Sequence, residues 1–208
     1  MKLTDIPVVF ICPDHNEKYS QRKEYMFTFL HKLGFEHVTM FKSGTESYPK
    51  CLTTANYDIL NNHLDDKPFL LMEDDVELSE WADLDMDFDI PVDADAFYIG
   101  FSRYGGSLIE NHSNGHNTFE VEHVSDKYIR ILNMLSTHAI IYVSKKYKEA
   151  VIKQMEYGMN APESYFNDIL ISRIQPNFNV YAYKYPIFYQ SDKFENPPDV
   201  KDATNFRF

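Results

Sequence analysis

Three acids in a row, Glu73-Asp74-Asp75, end the apolar run Phe69-Leu70-Leu71-Met72 and are followed by Val76. An unbroken apolar run of this length reads as a strand buried on both faces. In open α/β sheets, ligands collect beyond the carboxyl ends of such strands. Side chains alternate along an extended chain, so the spacing directs Glu73 and Asp75 to one side and Asp74 to the other. Adjacent carboxylates repel one another where water is scarce, and a divalent cation removes that cost. Oxygen ligands of this kind suit Mg²⁺ or Mn²⁺. A cation held there can bridge the two phosphates of a nucleotide sugar and stabilise charge on the departing diphosphate. The competing account is a solvated acidic turn, and three residues alone do not separate the two.

The bulk composition narrows the choice. The chain has 208 residues, 44% of them hydrophobic, which fits one domain with a sizeable core. Its net charge is −12, and no run of Lys or Arg is longer than Lys145-Lys146. Nucleic acid and anionic membrane surfaces are therefore poor partners, because phosphate binding needs clustered cations. A diphosphate substrate remains compatible only if a metal ion recruits it. No apolar run approaches the ~18 residues that span a bilayer, so no membrane span is expected. The start, Met1 to Pro7, is unlike a signal peptide, and Cys12 and Cys51 alone make no disulfide framework. These features point to a reduced, cytoplasmic setting.

The elements that must position the acids follow from periodicity. Pro7 to Cys12, His37 to Phe41 and Pro68 to Met72 read as strands, with helices over about Gln21–Leu33 and from Ser47 through Leu64 between them. Gly34 ends the first helix. The alternation predicts an α/β fold with a mixed, mainly parallel central sheet flanked by helices. In the second half, Ala96–Gly100, Tyr128–Leu132, Ala139–Val143 and Asn179–Tyr183 read as strands. Tyr104 to Asp126 is polar and turn-rich, carrying Gly105-Gly106 and Asn114-Gly115. Ser144 caps a helix from Lys145 to Met155, and Pro162 opens another reaching about Ile174. The expected organisation is one domain over 1–208: a nucleotide- and metal-binding half at 1–100, an acceptor-binding half at 101–190, and a loosely held tail at 191–208.

Leu71-Met72-Glu73-Asp74-Asp75-Val76 resembles the acidic motif of glycosyltransferase family 25, the lipopolysaccharide-type galactosyltransferases. Other segments resemble that family in order: Val9-Phe10-Ile11, Arg22 with Met26, Lys50-Cys51-Leu52, Ala96 to Gly100, Ser136-Thr137-His138-Ala139-Ile140-Ile141, and Tyr185 to Ser191. The sequence departs from the pattern at Cys12-Pro13, where the family has Asn-Leu, and at Ala55-Asn56, where it has Ser-His. The compact size also resembles glycosyltransferase domains of large algal viruses of the chlorovirus type.

The resemblance implies a GT-A fold and an inverting transfer from a nucleotide-sugar donor, UDP-linked or similar, to a glycan or glycoprotein acceptor. It implies that Asp75 is the best direct metal ligand, with Glu73 and Asp74 sharing the metal, its waters or the donor ribose. Pro13, Asp14 and Arg22 would lie near the nucleotide, Arg22 offering its fork of donors to phosphate. His138 would complete the metal site, as histidines from the second half do in many GT-A enzymes; a buried, hydrogen-bonded histidine is the plainer account. An inverting transfer needs a general base. Asp168 follows Tyr165-Phe166-Asn167, an aromatic setting that raises a carboxyl pKa and can accept a sugar face. Glu163 is the second candidate, although a first-turn acid also favours the helix dipole.

Two other patterns resemble sites and fail on detail. Asp83, Asp85, Asp87 and Asp89 lack the Gly and Glu of a calcium loop, having Phe88 and Ala94 in those places, and read as a solvated extended face. His112 and His116 have zinc-like spacing but no supporting cysteine pair, and their loop could serve as a flap over the acceptor. The functional alternatives are a nucleotidyltransferase or phosphohydrolase using the same carboxylates, and a non-catalytic carbohydrate-binding module.

Overall fold

The computed structural model describes residues 2–80, 82–84, 88–100, 102, 104–106, 117–191 and 193. In chain order these form β1 (Val8–Cys12), α1 (Glu17–Lys32), β2 (Val38–Lys42), α2 (Lys50–Asn62), β3 (Phe69–Glu73) and β4 (Val76–Leu78). There follow β5 (Ala96–Tyr98), β6 (Tyr104–Gly105), β7 (Asn117–Thr118), β8 (Val121–His123), β9 (Tyr128–Ile131), β10 (Ala139–Tyr142), α3 (Lys145–Asn160), α4 (Asn167–Ser172), β11 (Val180–Tyr183) and β12 (Phe188–Gln190). The fold is α/β, with a mixed eight-stranded sheet in the order β2-β1-β3-β10-β5-β11-β9-β8.

The first half is the parallel βαβαβ unit that the periodicity predicts: β1 pairs parallel with both β2 and β3. The expectation of a mainly parallel sheet is corrected beyond it. Strand β10 inserts antiparallel between β3 and β5, and β11–β9 and β9–β8 are antiparallel too; only β5–β11 adds a parallel pair. Parallel neighbours need a crossover connection of a dozen or more residues, usually helical. The chain between β5 and β10 carries no helix among the described residues, so its strands return in the opposite sense. Helices reappear only between β10 and β11, and there the parallel β5–β11 pairing becomes possible.

Alternation across β1 and β3 divides the core into two layers. Val8, Phe10, Leu70 and Met72 join Met26 and Leu30 of α1 on one face. Val9, Ile11, Phe69 and Leu71 join Ala55 and Ile59 of α2 and Val151 and Met155 of α3 on the other. Asn16 caps α1 by accepting the Tyr19 N–H at 3.1 Å, and Ser144 caps α3 by accepting that of Tyr147 at 3.2 Å. Gly34 ends α1 with φ +92°, a conformation that favours glycine.

One helix differs from expectation. Helix α3 runs on to Asn160, and Pro162 and Glu163 lie in the bend after it; α4 begins only at Asn167. Pro162 is compatible with a helix start but does not compel one when no apolar stripe follows. Ser164, Tyr165 and Phe166 leave the helical path before Ile169, Leu170 and Ile171 turn into the core.

Where the acidic run is described it alternates as expected: Asp83 and Asp89 are exposed, while Phe88 is buried among Phe97 and Tyr183 and the Asp89 carbonyl accepts the Tyr128 hydroxyl at 3.0 Å. Asp85, Asp87, His112, His116 and the tail beyond Lys193 lie outside the described residues. No helix among the described residues is long and apolar enough to cross a membrane.

Candidate functional site

Strands β1 and β3 run parallel with Ile11 opposite Glu73, so Cys12-Pro13 and Glu73-Asp74-Asp75 leave the sheet at the same edge. This is the carboxyl-terminal edge, where the fold rule puts ligands. A cleft of about 490 Å³ opens there. Pro13, Glu73, Asp74, Asp75 and Gln190 line its base, His15, Tyr19 and Arg22 one wall, and Glu46, Tyr48 and Cys51 the other. The cleft thus brings together five of the residues singled out from sequence: Pro13, Arg22, Glu73, Asp74 and Asp75.

The acids divide their partners. Arg22 is 8% exposed, and its Nη1 donates to Asp74 Oδ1 at 2.9 Å and stands 3.8 Å from Asp75 Oδ2. It is therefore not a solvated helix residue; its Nη1 anchors the acidic tip to α1 while the residue also lines the cleft. Burial raises the Asp74 pKa, and Arg22 pulls it back. Glu73 faces other partners. Thr137 Oγ1 donates to its Oε1 at 2.5 Å and Gln190 Nε2 to its Oε2 at 3.2 Å. Burial, and then the charge of Asp75, push the Glu73 carboxyl up to about 8. Strict alternation holds as far as Glu73 and Asp74, and the turn after β3 then swings Asp75 toward Arg22.

A small second sheet fixes that turn. Strand β12 pairs antiparallel with β4, Gln190 opposite Val76, and the Ser191 N–H donates to the Asp75 carbonyl at 2.6 Å. Glu77 holds the junction by accepting the hydroxyls of Tyr189 (3.1 Å) and Ser191 (2.8 Å) and an ion pair from Lys193, and its pKa is lowered by these bonds against the opposing effect of burial.

The remaining candidates lie outside the lining of the cleft. Asp14, at φ +48°, pairs with Lys23 Nζ at 2.9 Å, and that bond lowers its pKa. His138 is 3% exposed; its Nδ1 shares a 2.8 Å hydrogen bond with Ser136 Oγ, and burial lowers its pKa to about 4. Its ring fills the space above Gly100, where a Cβ would meet Nε2 at 2.3 Å. The plainer account, a packed neutral histidine, describes it. Asp168 sits in the first turn of α4 with Oδ1 accepting the Ile169 N–H at 2.8 Å. Burial raises its pKa, and its charge reaches Glu73 and Tyr48. Glu163 is exposed, in the bend before α4, and its placement on a helix is corrected.

No protein-family model matches the chain, and no curated protein does.

The residues present can be tested against a divalent cation. Among the described residues no group of three His, Cys, Asp or Glu side chains is arranged to hold a metal. Mg²⁺ at a diphosphate, however, uses one or two carboxylates and fills its other positions with water and substrate oxygens. Glu73 and Asp75 at the cleft base, with a Glu73 carboxyl raised first by burial and then by the charge of Asp75, fit that two-carboxylate form.

Sequence reasoning missed Tyr19, Tyr48, Thr137 and Gln190. Thr137 and Gln190 belong to quoted segments, but only the histidine beside Thr137 drew attention. Nothing in their spacing reveals that β10 and β12 carry them to Glu73.

Proposed function

We propose that this chain is a metal-dependent glycosyltransferase of the GT-A type, moving a hexose or deoxyhexose from a UDP-linked donor to a glycan hydroxyl with inversion. The observation that carries the reading is the run Glu73-Asp74-Asp75 at the carboxyl end of a parallel strand, opening on a cleft of about 490 Å³ in a protein of net charge −12. Glu73 and Asp75 would hold the cation, Mn²⁺ or Mg²⁺, which when bound would supply Lewis-acid stabilisation of the departing diphosphate.

The chain's own residues divide the remaining tasks. Arg22 holds Asp74 and offsets part of the acidic charge next to the donor phosphates. Thr137 and Gln190 hold the two Glu73 oxygens in one orientation. His15 and Tyr19, with ring centroids 4.9 Å apart, wall the end of the cleft where Pro13 lies and can face the nucleoside. Asp168 takes the proton of the acceptor hydroxyl as its oxygen bonds to the anomeric carbon and the bond from that carbon to the diphosphate breaks. Burial makes Asp168 a stronger base than an exposed aspartate.

The test is incubation with UDP-glucose, UDP-galactose and related donors, with Mn²⁺ or EDTA and a mixture of glycan acceptors, followed by detection of UDP and glycosylated product. Acceptor-dependent, EDTA-sensitive release of UDP supports the reading. Release of UMP marks a nucleotidyltransferase or phosphohydrolase. Glycan binding indifferent to EDTA and to loss of Asp75 marks a binding module.

A further inference from the structure

Phe10, Phe97, Tyr98 and Tyr142 are fully buried. Tyr48 and Phe166 are not. They are 66% and 44% exposed, and they come from distant segments to meet with ring centroids 5.6 Å apart and planes at 61°. Tyr48 lines the wall of the cleft across from Tyr19. Phe166 immediately precedes α4, whose first turn carries Asp168. Tyr157, 52% exposed, packs on Tyr165, the residue before Phe166, with ring centroids 5.7 Å apart.

We infer that the Tyr48–Phe166 ledge is a saccharide subsite that seats a neutral pyranose ring, with one sugar hydroxyl directed at Asp168; the inference rests on the glycosyltransferase reading and names the acceptor class within it. Three features of the site point the same way. The negative face of an aromatic ring attracts the polarised C–H groups on the flat side of a pyranose. Ionised carboxylates only accept, and a sugar hydroxyl is a donor that suits them. Asp168 Oδ1 accepts the Ile169 N–H at 2.8 Å, and a carboxylate has lone pairs left for a further donor. The charges that reach Tyr48 are those of Glu73 and Asp168, while Arg173 lies over the Tyr165 ring, 5.1 Å from its centroid. Uronic and sialic acids are repelled by those two carboxylates, whereas a neutral sugar is not.

The charge of Asp168 reaches Glu73, which links the first turn of α4 electrostatically to the acidic end of the cleft. The bend from Ala161 to Phe166, which replaces the expected helix, is what turns Phe166 outward while Asn167 ties α4 to α2 through the Thr53 hydroxyl at 2.8 Å.

The test is saturation-transfer NMR with methyl glycosides of glucose, galactose, mannose, fucose and xylose, and with methyl glucuronide, in the absence and presence of Mn²⁺ and UDP. Wild-type protein, Phe166→Ala and Tyr48→Ala are compared, with Mn²⁺-UDP affinity measured separately by calorimetry. The expected result is saturation of ring protons on at least one neutral glycoside, none on the glucuronide, and at least about fivefold weaker binding in Phe166→Ala with Mn²⁺-UDP affinity unchanged. Both rings are exposed, so a melting temperature equal to wild type shows that the variants fold. No binding of any neutral glycoside, equal binding of the glucuronide, or binding unaffected by either substitution overturns the subsite. Loss of Mn²⁺-UDP binding in the wild type instead overturns the donor reading, so the two failures are told apart.

Discussion

The Thr137 hydroxyl donates to Glu73 Oε1 at 2.5 Å across the junction of β3 and β10, and it does so beside a carboxyl that burial and Asp75 push up to about 8. One short bond does not outweigh the crowding. In metal-free protein Glu73 therefore binds a proton near neutrality that it releases on unfolding, where its pKa returns to the ordinary 4.5. Folded protein then binds more protons than unfolded protein between those values, so stability falls as pH rises through this window. His138 acts in the opposite sense: lowered to about 4 from 6.5, it adds stability above 6.5 that is lost as pH falls toward 4. Between pH 6.5 and 8 only the Glu73 slope of these two remains. We expect the melting temperature of EDTA-treated protein to fall across that interval, and Glu73→Gln to flatten the fall. A melting temperature that rises across it in wild type would sink the assignment. Mn²⁺ should remove the slope, because the cation displaces the proton.

Asp75 and Asp168 should separate binding from chemistry. Asp75→Ala removes a proposed cation ligand, and Mn²⁺-dependent UDP affinity should drop to the level seen in EDTA while the fold persists. Asp168→Asn should leave that affinity within about twofold and slow transfer by about 10²–10⁴-fold, the usual contribution of a general base. Calorimetry and a product assay check both. Full transfer by the Asp168 variant would remove Asp168 from the role of base.

How much of this was legible beforehand follows the range of the interactions. The parallel unit β1-α1-β2-α2-β3 and its acidic tip were read from local patterns, because apolar runs and helical stripes are local signals. The sense of β10 was not legible, since antiparallel insertion between β3 and β5 is decided by what the intervening loop lacks. Strands β4 and β12 were missed: each has three residues, too short for a period, and each is defined by the other. The Arg22–Asp74 bond is not legible in the sequence because its partners lie 52 positions apart. The helix expected from Pro162 failed because a favourable first-turn residue was weighed without a following apolar face.

Lys148 supplies a test of what supports the approach to β3. Its side chain is fully buried in α3, and its Nζ donates to the carbonyls of His63, Asp65 and Lys67 at 3.0, 2.7 and 2.8 Å. The ammonium thus ties the loop between α2 and β3, the segment that delivers the acidic strand. Burial lowers its pKa, and Asp65 draws it back up. Lys148→Met keeps the volume but leaves three carbonyls without this donor. The loss should be about 2–4 kcal/mol, from the penalty of unsatisfied acceptors offset by relief of a buried charge. Urea denaturation measures it; a change under about 0.5 kcal/mol would show that water replaces the ammonium without cost.

Gly100 and His138 offer a paired test at the other side of the sheet junction. A Cβ on Gly100 would lie 2.3 Å from His138 Nε2 and 3.1 Å from the Ala139 Cβ. Neither neighbour can retreat freely: the imidazole is held by Ser136, and Ala139 sits in β10 opposite Met72. Gly100→Ala should therefore cost about 1–3 kcal/mol by overpacking. His138→Ala alone should also destabilise, by emptying buried space and freeing Ser136 of its partner. In the double variant the alanine at 100 can occupy the vacated space, so the two losses should fall short of additive by at least about 1 kcal/mol. Because His138 does not line the cleft, Mn²⁺-UDP affinity should stay within about threefold of wild type in all three proteins. A Mn²⁺-dependent loss confined to His138→Ala, with stability unchanged, would instead return His138 to the metal site.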